Sequence, residues 1–86
     1  MDEATFRRET LRAQTRAVVE PQHGHYWRGY RDGLRRARLG ERAGTEAEHR
    51  QWLMLASSRD ASRAARGAGY RDGLAIAGWR PEERAR

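Results

Sequence analysis

The feature that most constrains this chain of 86 residues is a six-residue segment that occurs twice. Residues 29–34 read Gly-Tyr-Arg-Asp-Gly-Leu, and residues 69–74 repeat them letter for letter. Ala37 and Ala77 each follow the second glycine of their copy by four residues. Residues spaced by four lie on one face of a helix, so each copy presents a stripe of small residues. The repeat therefore predicts two helices with matching surfaces.

Glycine inside a helix needs a physical reason, because each one costs about 0.5–1 kcal/mol relative to alanine. Close approach of two backbones supplies that reason, since small residues spaced by four let helices pack tightly. The tyrosine and leucine of each copy form a neighbouring stripe and are predicted to wedge into the core. The predicted helix-packing residues are Gly29, Tyr30, Gly33, Leu34, Ala37, Gly69, Tyr70, Gly73, Leu74 and Ala77.

The glycine stripes can be used in more than one way. They can pair within one chain or across a two-fold homodimer, and a homodimer is expected because large apolar residues are few. In either pairing, Arg31 and Asp32 face outward or form contacts across the two helices. Alternatively, the glycines let the backbone meet a phosphate or a protein partner directly.

Local signals predict an all-α fold in one small domain, residues 1–86, with three or four short helices and a close-packed Gly-x-x-x-Gly helix pair. The first helix is expected over residues 2–19, where Asp2 can accept a hydrogen bond from the first turn. The second is expected over about residues 25–39, with Gly40 just after its last turn.

The second half of the chain contains a clear start signal for a third helix. Thr45 and Glu48 have the spacing of a capping box, so a connecting helix is expected over about residues 46–66. The glycines that follow either break this helix or let it continue through the second repeat. The second repeat helix is expected over about residues 68–78.

The residue types argue against several functions. There is no cysteine, which excludes disulfides, thiolate metal sites and cysteine nucleophiles. No apolar run approaches the roughly 18–20 residues that cross a membrane, so a cytoplasmic location is expected. His23 and His25 lack further ligands at a fixed spacing, and no catalytic motif is present. We therefore expect no metal, no cofactor, no catalytic residues and no enzyme activity.

Charge gives the main indication of function. All 18 basic residues are arginine, against 12 acidic residues, and the net charge is +6. A GC-rich genome can explain the missing lysine, but the positive balance favours a polyanionic partner, and the forked donors of arginine match phosphate. Arginine strips beside aromatic residues can grip phosphates and stack on RNA bases, although charged helix faces are often only solvated. The predicted nucleic-acid-binding residues are Trp27, Arg28, Arg31, Arg35, Arg38, Arg59, Arg63 and Arg66.

The two copies resemble segments of the ribosome modulation factor family. Residues 25–34 read His-Tyr-Trp-Arg-Gly-Tyr-Arg-Asp-Gly-Leu, similar to the Arg-Gly-Tyr-x-x-Gly-Ile/Leu segment of those small basic proteins. Residues 67–71 are similar to a later Gly-Gly-Trp-Arg element, with Tyr70 in place of tryptophan. The resemblance implies a helical protein that binds ribosomal RNA and helps to inactivate ribosomes. It covers about two dozen residues, and this chain lacks the Cys-Pro-Tyr segment, has a longer gap between copies and adds an N-terminal helix.

Together these patterns predict a small basic protein that binds nucleic acid, RNA rather than DNA, in association with the ribosome. The alternative is a protein-interaction module or small inhibitor that docks on an acidic protein surface. In that alternative the glycine, tyrosine and leucine face of the repeats forms the interface.

Overall fold

The computed structural model describes residues 1–79, and all regular structure in that part of the chain is helical. The α-helices are α1 (Glu3–Val19), α2 (Gly24–Leu39), α3 (Glu46–Leu55) and α4 (Ala61–Ile76). Short 3-10 turns, Pro21–His23 and Gly40–Ala43, connect the first three helices. The all-α prediction is confirmed, and residues 80–86 of the predicted domain lie outside the described residues.

α1 and α3 begin at side chains that accept backbone hydrogen bonds, and α2 ends at a glycine with positive φ. The Asp2 carboxylate accepts a hydrogen bond of 2.7 Å from the Thr5 backbone N–H at the start of α1. Gly40 ends α2 with φ of 62°, a conformation that other residues rarely adopt. At the start of α3, Thr45 and Glu48 form the predicted capping box, each accepting a backbone hydrogen bond of 3.2 Å from the other.

The connecting helix predicted over residues 46–66 is wrong, because α3 ends at Leu55 and a turn separates it from α4. The Ser58 hydroxyl accepts a hydrogen bond of 3.1 Å from the Asp60 backbone N–H. The Asp60 carboxylate in turn accepts one of 3.0 Å from the Arg63 backbone N–H and caps α4. Serine and aspartate used in this way satisfy backbone donors outside a helix, and so favour a turn over helix continuation.

The second repeat is the C-terminal part of α4 and not a separate helix over residues 68–78. α4 starts before the repeat, ends at Ile76, and is followed by Gly78 with φ of 96°. Gly67 does not break it, because this glycine is where α4 contacts the end of α3. A Cβ atom at Gly67 would overlap the backbone nitrogen of Ala56.

The glycine stripes of the two repeats pack directly against each other within one chain. A Cβ atom at Gly29 would overlap the carbonyl oxygen of Arg66, and one at Gly33 would overlap that of Tyr70. These contacts advance along both helices in the same direction, so α2 and α4 are parallel. The glycine stripes are therefore paired with each other inside one chain and form a glycine seam. They give no support to the expected homodimer, which stays a prediction.

The pairing of α2 and α4 has approximate two-fold symmetry. Gly69 and Gly73 lie against the carbonyl oxygens of Tyr26 and Tyr30, which are the same contacts with the two helices exchanged. α1 packs on α2, and α3 packs on α4. The described chain is thus two helical hairpins, α1–α2 and α3–α4, related by an approximate two-fold axis parallel to the central helices.

The core is thin and is centred on the repeated tyrosines and leucines. Leu34 and Leu74 are completely buried, and Tyr30 and Tyr70 are nearly so. α1 contributes Ala13, which is also buried, with aromatic side chains packed around it. With so few large apolar groups, the hydroxyls of the buried tyrosines need hydrogen-bond partners, and these partners determine how α1 and α3 dock.

Candidate nucleic-acid interface

Two equivalent polar contacts connect the central helices beside the glycine seam. The Tyr26 hydroxyl donates a hydrogen bond of 2.6 Å to the Asp72 carboxylate. The Arg66 guanidinium donates one of 2.8 Å to the Asp32 carboxylate, at the equivalent positions of the other helix. Burial, followed by the hydrogen bond to Asp72, raises the pKa of Tyr26. Of the two roles expected for Asp32, pairing across the helices is therefore the one observed.

On the α3 side, aromatic rings surround the buried hydroxyl of Tyr70. This hydroxyl lies 2.6 Å from Nδ1 of His49, which is itself buried. The Trp52 ring stacks on Tyr70 with a centroid separation of 5.8 Å and an interplanar angle of 25°. The Arg66 guanidinium lies 4.6 Å from the Trp52 ring centroid. Burial raises the pKa of Tyr70 to about 12, so this side chain is neutral at physiological pH.

A polar cavity of about 270 Å³ opens where α2, α3 and α4 meet the second 3-10 turn. It brings together Arg35 of the first predicted strip, Arg66 of the second, and Trp52 of α3. Its wall combines two guanidiniums, two carboxylates, aromatic rings and backbone. The lining residues are Asp32, Arg35, Ala43, Gly44, Glu48, Trp52, Arg66 and Tyr70.

On the α1 side, Trp27 is packed into the protein more than the strip prediction implied. Its ring meets those of Tyr26 and Tyr30 edge to face, with centroid separations of 5.0 and 5.3 Å. The Arg12 guanidinium lies 5.6 Å from the Trp27 centroid. The Tyr30 hydroxyl donates a hydrogen bond of 2.9 Å to Glu9, and burial raises the pKa of Tyr30 to about 12. A base that stacked on this face of Trp27 would have to displace Arg12.

The predicted arginines of α2 differ in exposure and surroundings. Arg28 and Arg35 are exposed, whereas Arg31 is half-buried. Arg38 is exposed but turned towards α1, where its guanidinium lies 5.4 Å from the Phe6 ring centroid. The solvent-facing part of this strip therefore runs from Arg28 to Arg35, with Arg38 partly engaged by α1.

The predicted arginines near α4 divide in the same way. Arg59 and Arg63 are exposed, and Arg66 is held between Asp32 and Trp52. The Arg63 backbone N–H, with smaller contributions that include the charge of His25, lowers the pKa of Asp60. Because His25 lies in the first turn of α2 and Asp60 caps α4, the N-terminal ends of the two helices lie near each other. Arg28, Arg59 and Arg63 thus lie at one end of the molecule, whereas Arg35 and Arg38 lie towards the C-terminal end of α2.

Most carboxylates of residues 1–79 already have a partner inside the chain. Asp2 and Asp60 cap helices, Glu48 completes the capping box, and Asp72 accepts from a tyrosine. The carboxylates in ion pairs with arginine are Glu3, Glu9, Glu20, Asp32 and Glu46. By contrast, within this part of the chain no ion pair is formed by Arg28, Arg35, Arg59 or Arg63.

Sequence reasoning missed Arg36, which lies in the same basic run as the strip but has a different role. Only 8% of Arg36 is exposed, and its guanidinium forms an ion pair of 3.1 Å with Glu46 at the start of α3. Burying an arginine with a carboxylate fixes the position of α3 against α2. Helical spacing gave a weak indication that Arg36 is partly buried, because it places this residue between the glycine seam and the solvent-facing arginines.

Neither a metal-binding cluster nor a membrane-spanning helix is formed by the described residues. No group of three or more His, Cys, Asp or Glu side chains there is arranged to hold a metal ion. In the same part of the chain, no helix is both long and apolar enough to cross a membrane.

No protein-family model matches the sequence, and no curated protein or solved structure is detectably similar to the chain. The resemblance to the ribosome modulation factor family thus rests on the repeat residues alone. The fold of residues 1–79 defines a class of architecture, a small all-α protein of two helical hairpins joined through a parallel glycine seam.

Proposed function

We propose that this protein binds RNA, ribosomal RNA in particular, through the exposed arginines at the shared end of α2 and α4. The observation that carries the proposal is the uneven use of charge. Most carboxylates of residues 1–79 are engaged by caps, ion pairs and tyrosines, while Arg28, Arg59 and Arg63 form no ion pair with a carboxylate there. Together with a net charge of +6, this gives a surface suited to phosphates.

Binding would act chiefly through neutralisation of phosphate charge. Guanidinium groups donate hydrogen bonds to phosphate oxygens and release condensed counterions, so affinity falls as salt rises. RNA is favoured over DNA because single-stranded loops offer unstacked bases to aromatic and guanidinium surfaces. The Arg66 guanidinium, which lies over Trp52 and lines the polar cavity, supplies such a surface. Association with the ribosome is the part of the proposal that the family resemblance supports.

Charge reversal tests the proposed surface against a matched control. Arg59→Glu with Arg63→Glu should weaken binding of a labelled single-stranded RNA at least tenfold in a fluorescence anisotropy titration. Arg7→Glu with Arg8→Glu makes the same change in net charge on exposed positions of α1 and should have a much smaller effect. Equal losses from the two double variants would mean that net charge alone matters and would reject this surface.

The salt dependence of the wild-type protein gives a second readout in the same titration. Phosphate contacts by Arg28, Arg59 and Arg63 predict a slope of log affinity against log salt of about −2, at roughly 0.7 per contact with a single strand. An affinity that hardly changes with salt would contradict phosphate neutralisation as the mechanism.

A protein-interaction module is the second candidate, and a specific surface favours it. An apolar groove beside the polar cavity is formed by Trp52, Met54 and Leu55, and Met54 is 74% exposed. The originally expected interface, the glycine, tyrosine and leucine face, is buried between α2 and α4 and is unavailable. A protein partner would therefore dock on α3, because a contiguous apolar groove is the kind of surface that marks interaction sites.

A further inference from the structure

We infer that the polar cavity between α2, α3 and α4 receives a single unpaired guanine base, an inference that rests on the proposed RNA binding. The cavity differs in chemistry from the proposed phosphate-binding arginines. Its wall combines two carboxylates with two guanidiniums, whereas Arg28, Arg59 and Arg63 form no ion pair with a carboxylate in the described residues.

The charges of the cavity argue against an anion as its ligand. The positively charged residues that line it are Arg35 and Arg66, and the negatively charged ones are Asp32 and Glu48. The two carboxylates would repel a phosphate that the guanidiniums attract. A neutral ligand that has both hydrogen-bond donors and acceptors suits such a wall better.

The shape of the cavity favours a flat ligand of modest size. Its volume of about 270 Å³ is below the range of roughly 300–1,000 Å³ that holds drug-sized ligands. The Trp52 ring and the Arg66 guanidinium lie against each other on its wall at 4.6 Å. The guanidinium covers one face of the Trp52 ring and Tyr70 also stacks on the ring, so a base that enters the cavity would stack on the Arg66 guanidinium. A single nucleobase therefore fits the size and the surface of the cavity.

The arrangement of donors and acceptors selects guanine among the bases. Guanine presents two neighbouring donors, N1–H and the N2 amino group, and two acceptors, O6 and N7. The Asp32 carboxylate accepts one hydrogen bond from Arg66 at 2.8 Å and, with about four lone-pair sites, can accept from both guanine donors as well. Arg35 is exposed on the cavity wall and can donate to O6 and N7. Adenine lacks the paired donors, so it would add no such pair of hydrogen bonds to the one that Asp32 accepts from Arg66.

A change in the RNA tests this assignment without disturbing the fold. The probes are a short uridine-only RNA and versions that carry one central guanine, adenine or inosine. We expect the guanine RNA to bind about tenfold more tightly than the adenine RNA, because a bidentate base contact discriminates by that order. Inosine, which lacks the N2 amino group, should fall between them. Equal affinity for the guanine, adenine and inosine RNAs would overturn the inference while leaving RNA binding intact. Absence of binding to all the RNAs would overturn both.

Two matched arginine variants separate base recognition from phosphate binding. Arg35→Gln should abolish most of the preference for guanine, in addition to any loss of affinity that it causes for uridine-only RNA. Arg28→Gln, at an exposed position of the same helix, should weaken all the RNAs by a similar factor and keep the preference. If Arg35→Gln leaves the preference unchanged, or lowers every affinity by one factor as Arg28→Gln does, the cavity does not read the base.

Discussion

At the scale of the residue, the glycines of this chain are not equivalent. Gly29, Gly33, Gly69 and Gly73 face the backbone of the opposite helix so closely that none has room for a Cβ atom. Gly24, the first residue of α2, has helical φ and ψ of −58° and −40° and open space around the position of a Cβ atom. The four seam glycines are therefore required by contact, whereas Gly24 is required neither by contact nor by its backbone conformation.

Substitution by alanine should separate these two kinds of glycine. Gly33→Ala forces α2 away from the Tyr70 carbonyl, and overpacking of backbone against backbone should lower the free energy of unfolding by about 3 kcal/mol or more. Gly24→Ala should leave stability unchanged or raise it slightly. Urea unfolding followed by circular dichroism measures both variants. Similar stabilities for the two variants would contradict a close-packed seam.

The tyrosines give a prediction for alkaline pH. Tyr26, Tyr30 and Tyr70 are all the tyrosines of the chain, and burial raises the pKa of each in the folded state. A raised pKa in the folded protein means that stability is fully present below the ordinary pKa of 10.0 and is lost as the pH rises towards about 12. Tyrosinate absorbance and helical circular dichroism should therefore change together in this range. Tyrosinate formation near pH 10.0 with the helices intact would show that the hydroxyls are not buried.

At the scale of the element, the sequence predicts helix starts better than it predicts helix ends. The caps at Asp2 and Thr45 were identified in advance because each depends on side chains within a few residues. The turn after Leu55 was missed, because the polar residues that follow are compatible with an exposed helix face. The chain must turn there so that α4 can run parallel to α2, and that requirement comes from the tertiary fold.

Removal of the α3 cap tests how far this short helix depends on it. Thr45→Ala abolishes the side-chain acceptor for the Glu48 backbone N–H and should lower the free energy of unfolding by about 1 kcal/mol. Thr15→Ala, at an exposed position inside α1, makes the same chemical change and should be neutral or slightly stabilising. Thermal unfolding of the two variants provides the comparison. An equal effect at both positions would mean that the cap contributes nothing specific.

At the scale of the whole molecule, the approximate two-fold symmetry explains which contacts could be predicted. The duplicated glycine stripes predicted a close-packed pair, and the structure has it. The direction of the two helices and the pairing of Arg66 with Asp32 depend on how α3 carries the chain back, and no local pattern encodes that path. The candidate site, too, could be predicted only in part from local sequence patterns. Its arginines could be identified from spacing and charge, but the cavity needs three helices to meet before its residues come together.

The central claim is that the natural partner is RNA, and recovery of the protein from its native cells tests it most directly. The tagged protein would be captured with and without nuclease treatment, at low and high salt, and the co-purifying molecules identified. We expect RNA, ribosomal RNA above all, that is lost after nuclease treatment and at high salt, because salt weakens binding that depends on phosphate contacts. A single protein partner that survives nuclease treatment, with no enriched RNA, would contradict the claim and direct attention to the apolar groove of α3.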